Sequence, residues 1–151
     1  MKTLAQAMVM VVVGTLIAGG ALAQFAKPED AIKYRKSVMV LIAQHFKSMG
    51  AVVQGKAEYD QQAFVANAEV VKMLATLPWE ASLEPGSDKG DTTLSPAVFD
   101  KREDFEKTAR SFETATAKLA ETAKGSDFDA VKAQFGEVAK SCKGCHKPFR
   151  K

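Results

Sequence analysis

Apolar residues after residue 27 recur at alternating steps of three and four, and this pattern constrains the fold more than any other feature of the sequence. The spacing places side chains on one face of a helix that packs in a bundle, because an α-helix has about 3.6 residues per turn. No segment alternates apolar and polar residues with the period of two that a half-buried strand shows. The sequence therefore predicts an all-α fold.

Four amphipathic helices with three links account for the chain from residue 28 onward. Their predicted bounds are about Pro28 to about Val53, Asp60 to just before Pro78, Ser95 to Gly125, and Ser126 onward. Ser126, with Asp129 three residues later, resembles a capping box and is expected to cap the fourth helix. Residues 78–95 form an unusually long link, which suggests a segment that covers something. The arrangement predicts an antiparallel four-helix bundle.

The side chains predicted to face the core share the three-four spacing in every helix. They are Ile32, Met39, Ile42, Phe46, Met49 and Val53, then Phe64, Ala68, Val71 and Leu74, then Val98, Phe105, Ala109, Phe112, Leu119 and Ala123, then Phe128, Val131, Phe135 and Val138. The same count reaches Cys142 and Cys145, so both thiols are expected to face the core. Arg35 interrupts the first stripe, where a buried cation would be costly unless an anion meets it. Met73 is expected in the core or at an interface.

Residues 142–146 read Cys-Lys-Gly-Cys-His, the C-x-x-C-H signature of covalent attachment of a c-type haem. Residues three apart share a helix face, so both thiols can reach the two vinyl groups of one porphyrin edge. His146 follows the second thiol directly, and a neutral imidazole held there is a good iron ligand. The motif predicts one haem c, linked through Cys142 and Cys145, with His146 as the axial ligand.

Three other uses of this motif agree less well with the sequence. A thioredoxin-like dithiol begins a helix after a strand, whereas this pair ends a long helical pattern. A structural zinc site needs four ligands, and the chain has two cysteines and two histidines, of which His45 is remote in sequence. A disulfide across a two-residue gap on a helix has poor geometry.

The first 23 residues have the pattern of a secretory signal peptide. Lys2 gives a positive start, Met8 to Ala18 is apolar, and Ala21-Leu22-Ala23 is a cleavage pattern that would leave Gln24 at the N-terminus. The alternative is an uncleaved anchor, but the apolar stretch is short for a membrane span. The expected division is a cleaved signal at 1–23 and one haem-carrying domain at 24–151. Export would place the protein in a bacterial periplasm, with no membrane attachment after cleavage.

Charge gives no support to nucleic-acid binding. The chain has 21 Lys and Arg against 18 Asp and Glu, a formal net charge of +3. These charges are interspersed along helical patterns, whereas a nucleic-acid binder usually concentrates basic residues on one face.

Several segments resemble cytochrome c′, a class II c-type cytochrome. They are Gln24 to Ala31, Lys33-Tyr34-Arg35, His45-Phe46, Tyr59-Asp60, Leu77-Pro78-Trp79, and the C-terminal C-x-x-C-H followed by Phe149-Arg150. The C-terminal position of the motif is specific, because class I c-type cytochromes usually carry it near the N-terminus. The resemblance implies a homodimer of bundles with five-coordinate iron. Such proteins transfer electrons or bind nitric oxide or carbon monoxide, and are not enzymes.

The resemblance also implies roles for residues around the haem. Arg35 and Lys36 align with residues that contact the haem propionates. Asp91 and Thr92 align with the loop that closes over the haem edge. Arg150 aligns with an arginine on the proximal side of the iron.

Met39 aligns with the distal face of the haem, where cytochromes c′ hold a residue that does not ligate iron. The related c-556 type has a methionine ligand there, which would make a low-spin electron carrier with His146 and Met39 as axial ligands. A methionine on an apolar stripe is ordinarily packing, so we predict an open sixth site.

The remaining candidate residues have more ordinary interpretations. His45 lies off the inner stripe and is expected to face solvent, which leaves a peroxidase without a distal histidine. Trp79 is expected to pack the long link onto the bundle. Four cations near the C-terminus suit either a helix end or the docking of an acidic redox partner. They are Lys143, Lys147, Arg150 and Lys151.

Overall fold

A computed structural model describes residues 24–151, and this part of the chain is helical, without a β-strand. The helices are α1 (Pro28–Val53), α2 (Gln61–Leu74), α3 (Pro78–Leu83), α4 (Ala97–Asp100), α5 (Arg102–Thr122) and α6 (Phe128–Phe149). The long helices α1, α2, α5 and α6 form the predicted four-helix bundle, and α3 and α4 lie in the long connection between α2 and α5. The predicted signal at 1–23 lies outside the described residues.

The first two helices begin at the residues that the sequence indicates. Pro28 occupies the first turn of α1, and Glu29 and Asp30 place negative charge at the positive end of its dipole. Asp60 caps α2, because its carboxylate accepts a hydrogen bond from the Ala63 N–H at 3.0 Å. Pro78 then begins the short helix α3.

The prediction of one helix from Ser95 to Gly125 is wrong, because the helical backbone is interrupted at Lys101. There φ is −123° and ψ is 48°, and the break separates α4 from α5. The Ser95 hydroxyl accepts a hydrogen bond from the Ala97 N–H at 3.2 Å, but Pro96, not Ser95, is the residue directly before the short helix, so the predicted start is wrong by one residue. The break lets Val98, which is fully buried, pack in one cluster with Phe105 and Phe149 at the end of α6.

The predicted cap of the fourth helix is wrong by one residue. Asp127, rather than Ser126, accepts hydrogen bonds from the N–H groups of Asp129 and Ala130, each at 3.0 Å. Both residue types are good caps, but the Asp127 carboxylate serves two donors at once and carries the charge that a helix start favours.

This cap can be tested by comparing two neighbouring substitutions. Asp127→Ala is expected to lower the free energy of unfolding by about 1 kcal/mol, because two N–H groups lose their acceptor. Ser126→Ala is the matched control and is expected to change it by less than about 0.5 kcal/mol. Urea unfolding followed by circular dichroism measures both, and equal effects would contradict the assignment.

The core follows the predicted stripes and divides into two clusters. The larger lies between the four long helices and includes Ile42, Phe64, Phe112, Leu119 and Val138. Its partly buried members include Met39 and Cys142. Every residue predicted to face inward is buried or partly buried. Met49 is 1% exposed, whereas Met73 is 66% exposed. Met73 is therefore not a core residue, and its position at an interface stays a prediction.

Aromatic contacts fix the helices relative to one another. Phe46 of α1 stacks on Phe135 of α6, with ring centroids 4.1 Å apart and planes within 6°. Trp79 packs edge-on against Phe105 and Phe112 of α5, and its indole N–H donates to the Glu113 carboxylate at 2.6 Å. The long link is therefore held against the bundle, as predicted for Trp79.

Candidate haem site

Both cysteines lie near the end of α6, where the inner stripe of that helix reaches the second, smaller cluster. Both are half-buried and unpaired, and Cys142 packs against the larger cluster while Cys145 packs against the smaller one. Their i, i+3 spacing places them on one side of the helix. The two thiols therefore lie against the core, where the larger and the smaller cluster meet.

The environment of the thiols disagrees with the alternative chemistries. Burial raises the pKa of Cys142 to about 11 and also raises the pKa of Cys145. A thioredoxin-like nucleophile needs the opposite shift, since the thiolate is the reactive form. Within residues 24–151 no three His, Cys, Asp or Glu side chains are grouped to hold a metal ion, which disfavours structural zinc.

His146 lies one residue beyond Cys145, and α6 continues for one more turn. Partial burial of the imidazole, with the positive charge of Arg150 as a second cause, lowers the pKa of His146. The lowered pKa favours the neutral imidazole, which is the form whose nitrogen lone pair binds a metal. Pro148 stands inside the last turn, and the helix ends at Phe149.

Arg35 on α1 is buried, and it forms no ion pair with a carboxylate of residues 24–151. It is 6% exposed, and burial lowers the pKa of its guanidinium. The guanidinium donates to the backbone oxygens of Ala81 at 2.7 Å and Ser87 at 2.9 Å, and to the Thr92 hydroxyl at 2.7 Å. Its positive charge thus meets neutral oxygens among the described residues.

Residues 84–95, which we call the strap, join this arginine to the end of α6. Lys36 binds the Asp91 carboxylate at 2.7 Å, and Thr92 accepts a hydrogen bond from Arg35, so Lys36, Asp91 and Thr92 lie beside Arg35. At the other side, the Ser95 N–H donates to the Phe149 carbonyl and the Lys151 N–H donates to the Thr93 carbonyl, both at 2.9 Å. The strap therefore connects α1 with the helix that carries the C-x-x-C-H motif.

A glycine and a backbone pairing set the course of the strap. Gly86 has a φ of +85°, which favours glycine, and a Cβ there would lie 3.2 Å from the Pro28 side chain. Leu94 forms an isolated antiparallel bridge with Arg150, whose side chain donates to the Thr93 hydroxyl at 3.3 Å. Arg150 is thus fixed one turn beyond His146.

Comparisons with known proteins decide the family. The family model described as Cytochrome C' matches residues 30–150 of this chain. The chain belongs to the cytochrome c′ family. It is 44% identical over 128 residues to cytochrome c′ of Alcaligenes xylosoxydans xylosoxydans, covering 85% of this chain and 98% of that protein. Proteins of this family carry haem c, and the two cysteines of this chain are spaced for its thioether links.

Solved cytochromes c′ share the fold of this chain. The structure from Shewanella frigidimarina matches with a TM-score of 0.81 at 39% identity, covering 84% of this chain and 98% of that one. The structure from Rubrivivax gelatinosus matches with a TM-score of 0.80 at 43% identity, covering 85% of this chain and all of that one. A variant of the Alcaligenes xylosoxidans protein, with a TM-score of 0.78, was solved as a nitric oxide complex, and another variant with carbon monoxide bound.

Two residues near the candidate distal side now have defined surroundings. Met39, one helical turn after Arg35, is partly buried against the larger cluster. His45 does not simply face solvent as predicted: it is half-buried, and its Nδ1 lies 2.8 Å from the Asn67 Oδ1 on α2. This contact turns His45 toward α2. His45 lies six positions after Met39, so the two side chains do not share one face of α1.

Sequence reasoning missed the partners of Arg35 inside the long link. The carbonyl oxygens of Ala81 and Ser87 are backbone atoms, so no residue type at these positions signals them. Arg35 was the one indication in the sequence, because a cation on an apolar stripe must form hydrogen bonds to oxygen atoms when it is buried. The sequence located the donor but not the segment that accepts from it.

Proposed function

We propose that this cytochrome c′ binds small diatomic gases, nitric oxide and carbon monoxide, at an open iron site and also passes single electrons. The observation that carries the proposal is the C-x-x-C-H motif at the junction of the two core clusters, in a chain whose solved relatives bind these gases. The bound haem supplies a redox-active iron. The protein residues hold it, orient it and limit access of water.

Each site residue has a proposed role that follows from its position. Cys142 and Cys145 would form the thioether links to the haem, and His146 would supply an imidazole nitrogen to its iron. Arg35 and Lys36 face the haem carboxylates from α1, since the buried Arg35 charge has no carboxylate among residues 24–151. On the strap, Asp91 and Thr92 hold these two cations in place.

Arg150 is proposed to lie on the proximal side of the haem. The Arg150 N–H donates to the His146 carbonyl at 3.0 Å, and the Thr93 contact fixes its side chain. A cation there favours a neutral imidazole at His146, which is the form that ligates iron.

Met39 is proposed to pack beside the haem and not to ligate iron. Its partial burial in the larger cluster is what a flexible filler shows. The alternative, His146 and Met39 together as axial ligands, would close the sixth site to gases.

A visible spectrum of the reduced protein, with and without carbon monoxide, tests this assignment. We expect a broad high-spin ferrous band that changes on adding carbon monoxide. We also expect Met39→Leu, the matched control for packing, to keep that spin state. Sharp low-spin bands that do not change on adding carbon monoxide, and that become high-spin in Met39→Leu, would instead establish Met39 as an iron ligand.

We propose that the chain forms a homodimer through the outer face of α1. The neighbouring residues Val40 and Leu41 are 67% and 48% exposed, although both side chains are apolar. Adjacent exposed apolar residues of this kind are typical of a surface that a second copy covers. Sedimentation equilibrium at micromolar concentration reports this state directly.

The proposed location is the periplasm after cleavage following Ala23. None of the helices between residues 24 and 151 has the length and hydropathy of a membrane span.

We propose no catalytic residues, because His45 is bound to Asn67 and no acid-base pair lies within a turn of Met39.

A further inference from the structure

The C-terminal end of α6 carries a concentrated positive charge. Residues 138–151 contain five Lys and Arg and no Asp or Glu, although the formal net charge of the whole chain is only +3. The rest of the chain therefore has an excess of acids. Such an asymmetry directs a charged partner to one end of the molecule.

Four of these cations form a surface that we call the cationic face: Lys143, Lys147, Arg150 and Lys151. All four are exposed. Along residues 24–151, each basic residue of the cationic face lacks a carboxylate within ion-pair distance, whereas Lys140 pairs with Glu137 at 2.7 Å. Their charges are consequently available to another molecule.

The side chains of the cationic face also have a fixed placement. Lys143 and Lys147 are four residues apart, so they project from the same side of α6. The Lys151 ammonium donates to the Asp88 carbonyl at 2.8 Å, and Arg150 donates to Thr93. These contacts with the strap restrict the side chains of Arg150 and Lys151. Less side-chain conformational entropy is therefore lost when a partner binds.

This face adjoins the attachment site. Lys143 stands between the two cysteines in sequence, and Lys147 follows His146. At about 1.5 Å of rise per residue, a surface that touches both lysines lies within about one helical turn of every attachment residue. The two lysines lie on the side of α6 away from the thiols, so a protein docked there would be one helix diameter, about 10 Å, from the attachment residues.

We propose that the cationic face is the docking surface for a redox partner that presents a cluster of carboxylates. The inference rests on the proposed function, since it assumes haem at Cys142 and Cys145. A simpler role for cations at a helix C-terminus is to complement the helix dipole. That role affects stability but not the rate of electron exchange with a charged reagent, so the two roles are separable.

The test measures oxidation of the reduced protein by two reagents of opposite charge. The reagents are hexacyanoferrate(III), an anion, and tris(phenanthroline)cobalt(III), a cation. In each case one electron passes from the protein to the reagent, no bond forms or breaks, and no proton moves. We expect the wild-type rate with the anion to fall as ionic strength rises.

Two double variants with the same change in net charge provide the comparison. Lys143→Glu with Lys147→Glu should slow the anion reaction by about tenfold at low salt and accelerate the cation reaction. Lys56→Glu with Lys118→Glu is the matched control, because both lysines are exposed and lie outside α6. The control should stay within about twofold of wild type with either reagent.

A carboxylate-bearing polypeptide gives a direct readout of docking. Oligoglutamate of about 20 residues, titrated into isotopically labelled protein, should shift amide resonances on and around the cationic face. The Lys143→Glu, Lys147→Glu protein should lose these shifts, whereas the control should keep them. The reduction potential of each variant is measured so that driving force cannot account for a rate difference.

The outcomes separate this inference from the proposed function. Protein without covalently bound haem would overturn both. Protein with haem in which the two double variants react alike, or in which oligoglutamate shifts resonances elsewhere, would overturn the docking surface alone. A loss of stability in Lys143→Glu, Lys147→Glu without any change in rate would show that these cations serve only the helix end.

Discussion

Replacing both Cys142 and Cys145 by alanine is expected to abolish covalent haem attachment. Each thioether needs one of these sulfurs, and the chain contains no other cysteine. A haem stain after denaturing electrophoresis should show no band, and acid-acetone should extract whatever haem remains associated. The loss should be complete, because the double substitution removes the bonds themselves and not one of several contacts.

Gly144→Ala is the matched control for this experiment. Gly144 lies between the two cysteines, and a Cβ added there meets nothing within 4 Å. An alanine also favours the helix by up to about 1 kcal/mol relative to glycine. The control protein should therefore retain its covalent haem. A persistent haem band in the double cysteine variant would contradict the attachment and, with it, the proposed function.

The helical stripe and the motif could be predicted from the sequence because both are local patterns. Val131, Val138 and Cys142 fall on one face by counting alone, and the structure places all three against the larger cluster. The Asp127 cap and the break at Lys101 were missed because a stripe fixes the face of a helix and not its ends.

The strap could not be predicted for a different physical reason. Its contacts join residues far apart in sequence through backbone atoms, as in the pairing of Leu94 with Arg150 and the hydrogen bond from Arg35 to Ser87. Neither leaves a pattern in residue types. Asp91 and Thr92 were predicted from family resemblance, whereas Arg35 also followed from the cost of burying a charge.

Arg35→Ala is expected to destabilise the haem-loaded protein by about 3 kcal/mol. The substitution leaves the oxygens of Ala81, Ser87 and Thr92 without their donor, and a buried orphaned acceptor costs about 1 kcal/mol or more. The substitution also removes the free-energy cost of burying the Arg35 charge, which offsets part of the loss in stability. Guanidinium unfolding monitored by circular dichroism measures the net change.

Two further variants separate the hydrogen bonds of Arg35 from its charge. Arg35→Lys keeps the charge but cannot reach three acceptors with a planar fork, so it should recover only part of the stability. Arg110→Ala is the surface control. Arg110 is 66% exposed and lies 3.8 Å from Glu106, so it should change stability by less than about 0.5 kcal/mol.

Hydrogen exchange locates the effect of Arg35→Ala within the molecule. Because the buried Arg35 guanidinium donates to two residues of the strap, Ser87 and Thr92, amides of residues 84–95 should exchange faster, while those in the middle of α2 and α5 keep their protection. If the strap exchanged as in the wild type, Arg35 would not be what holds it. The strap would then depend on the Lys36–Asp91 ion pair and on its pairing with Arg150 and Lys151, and the buried cation would serve the haem carboxylates alone.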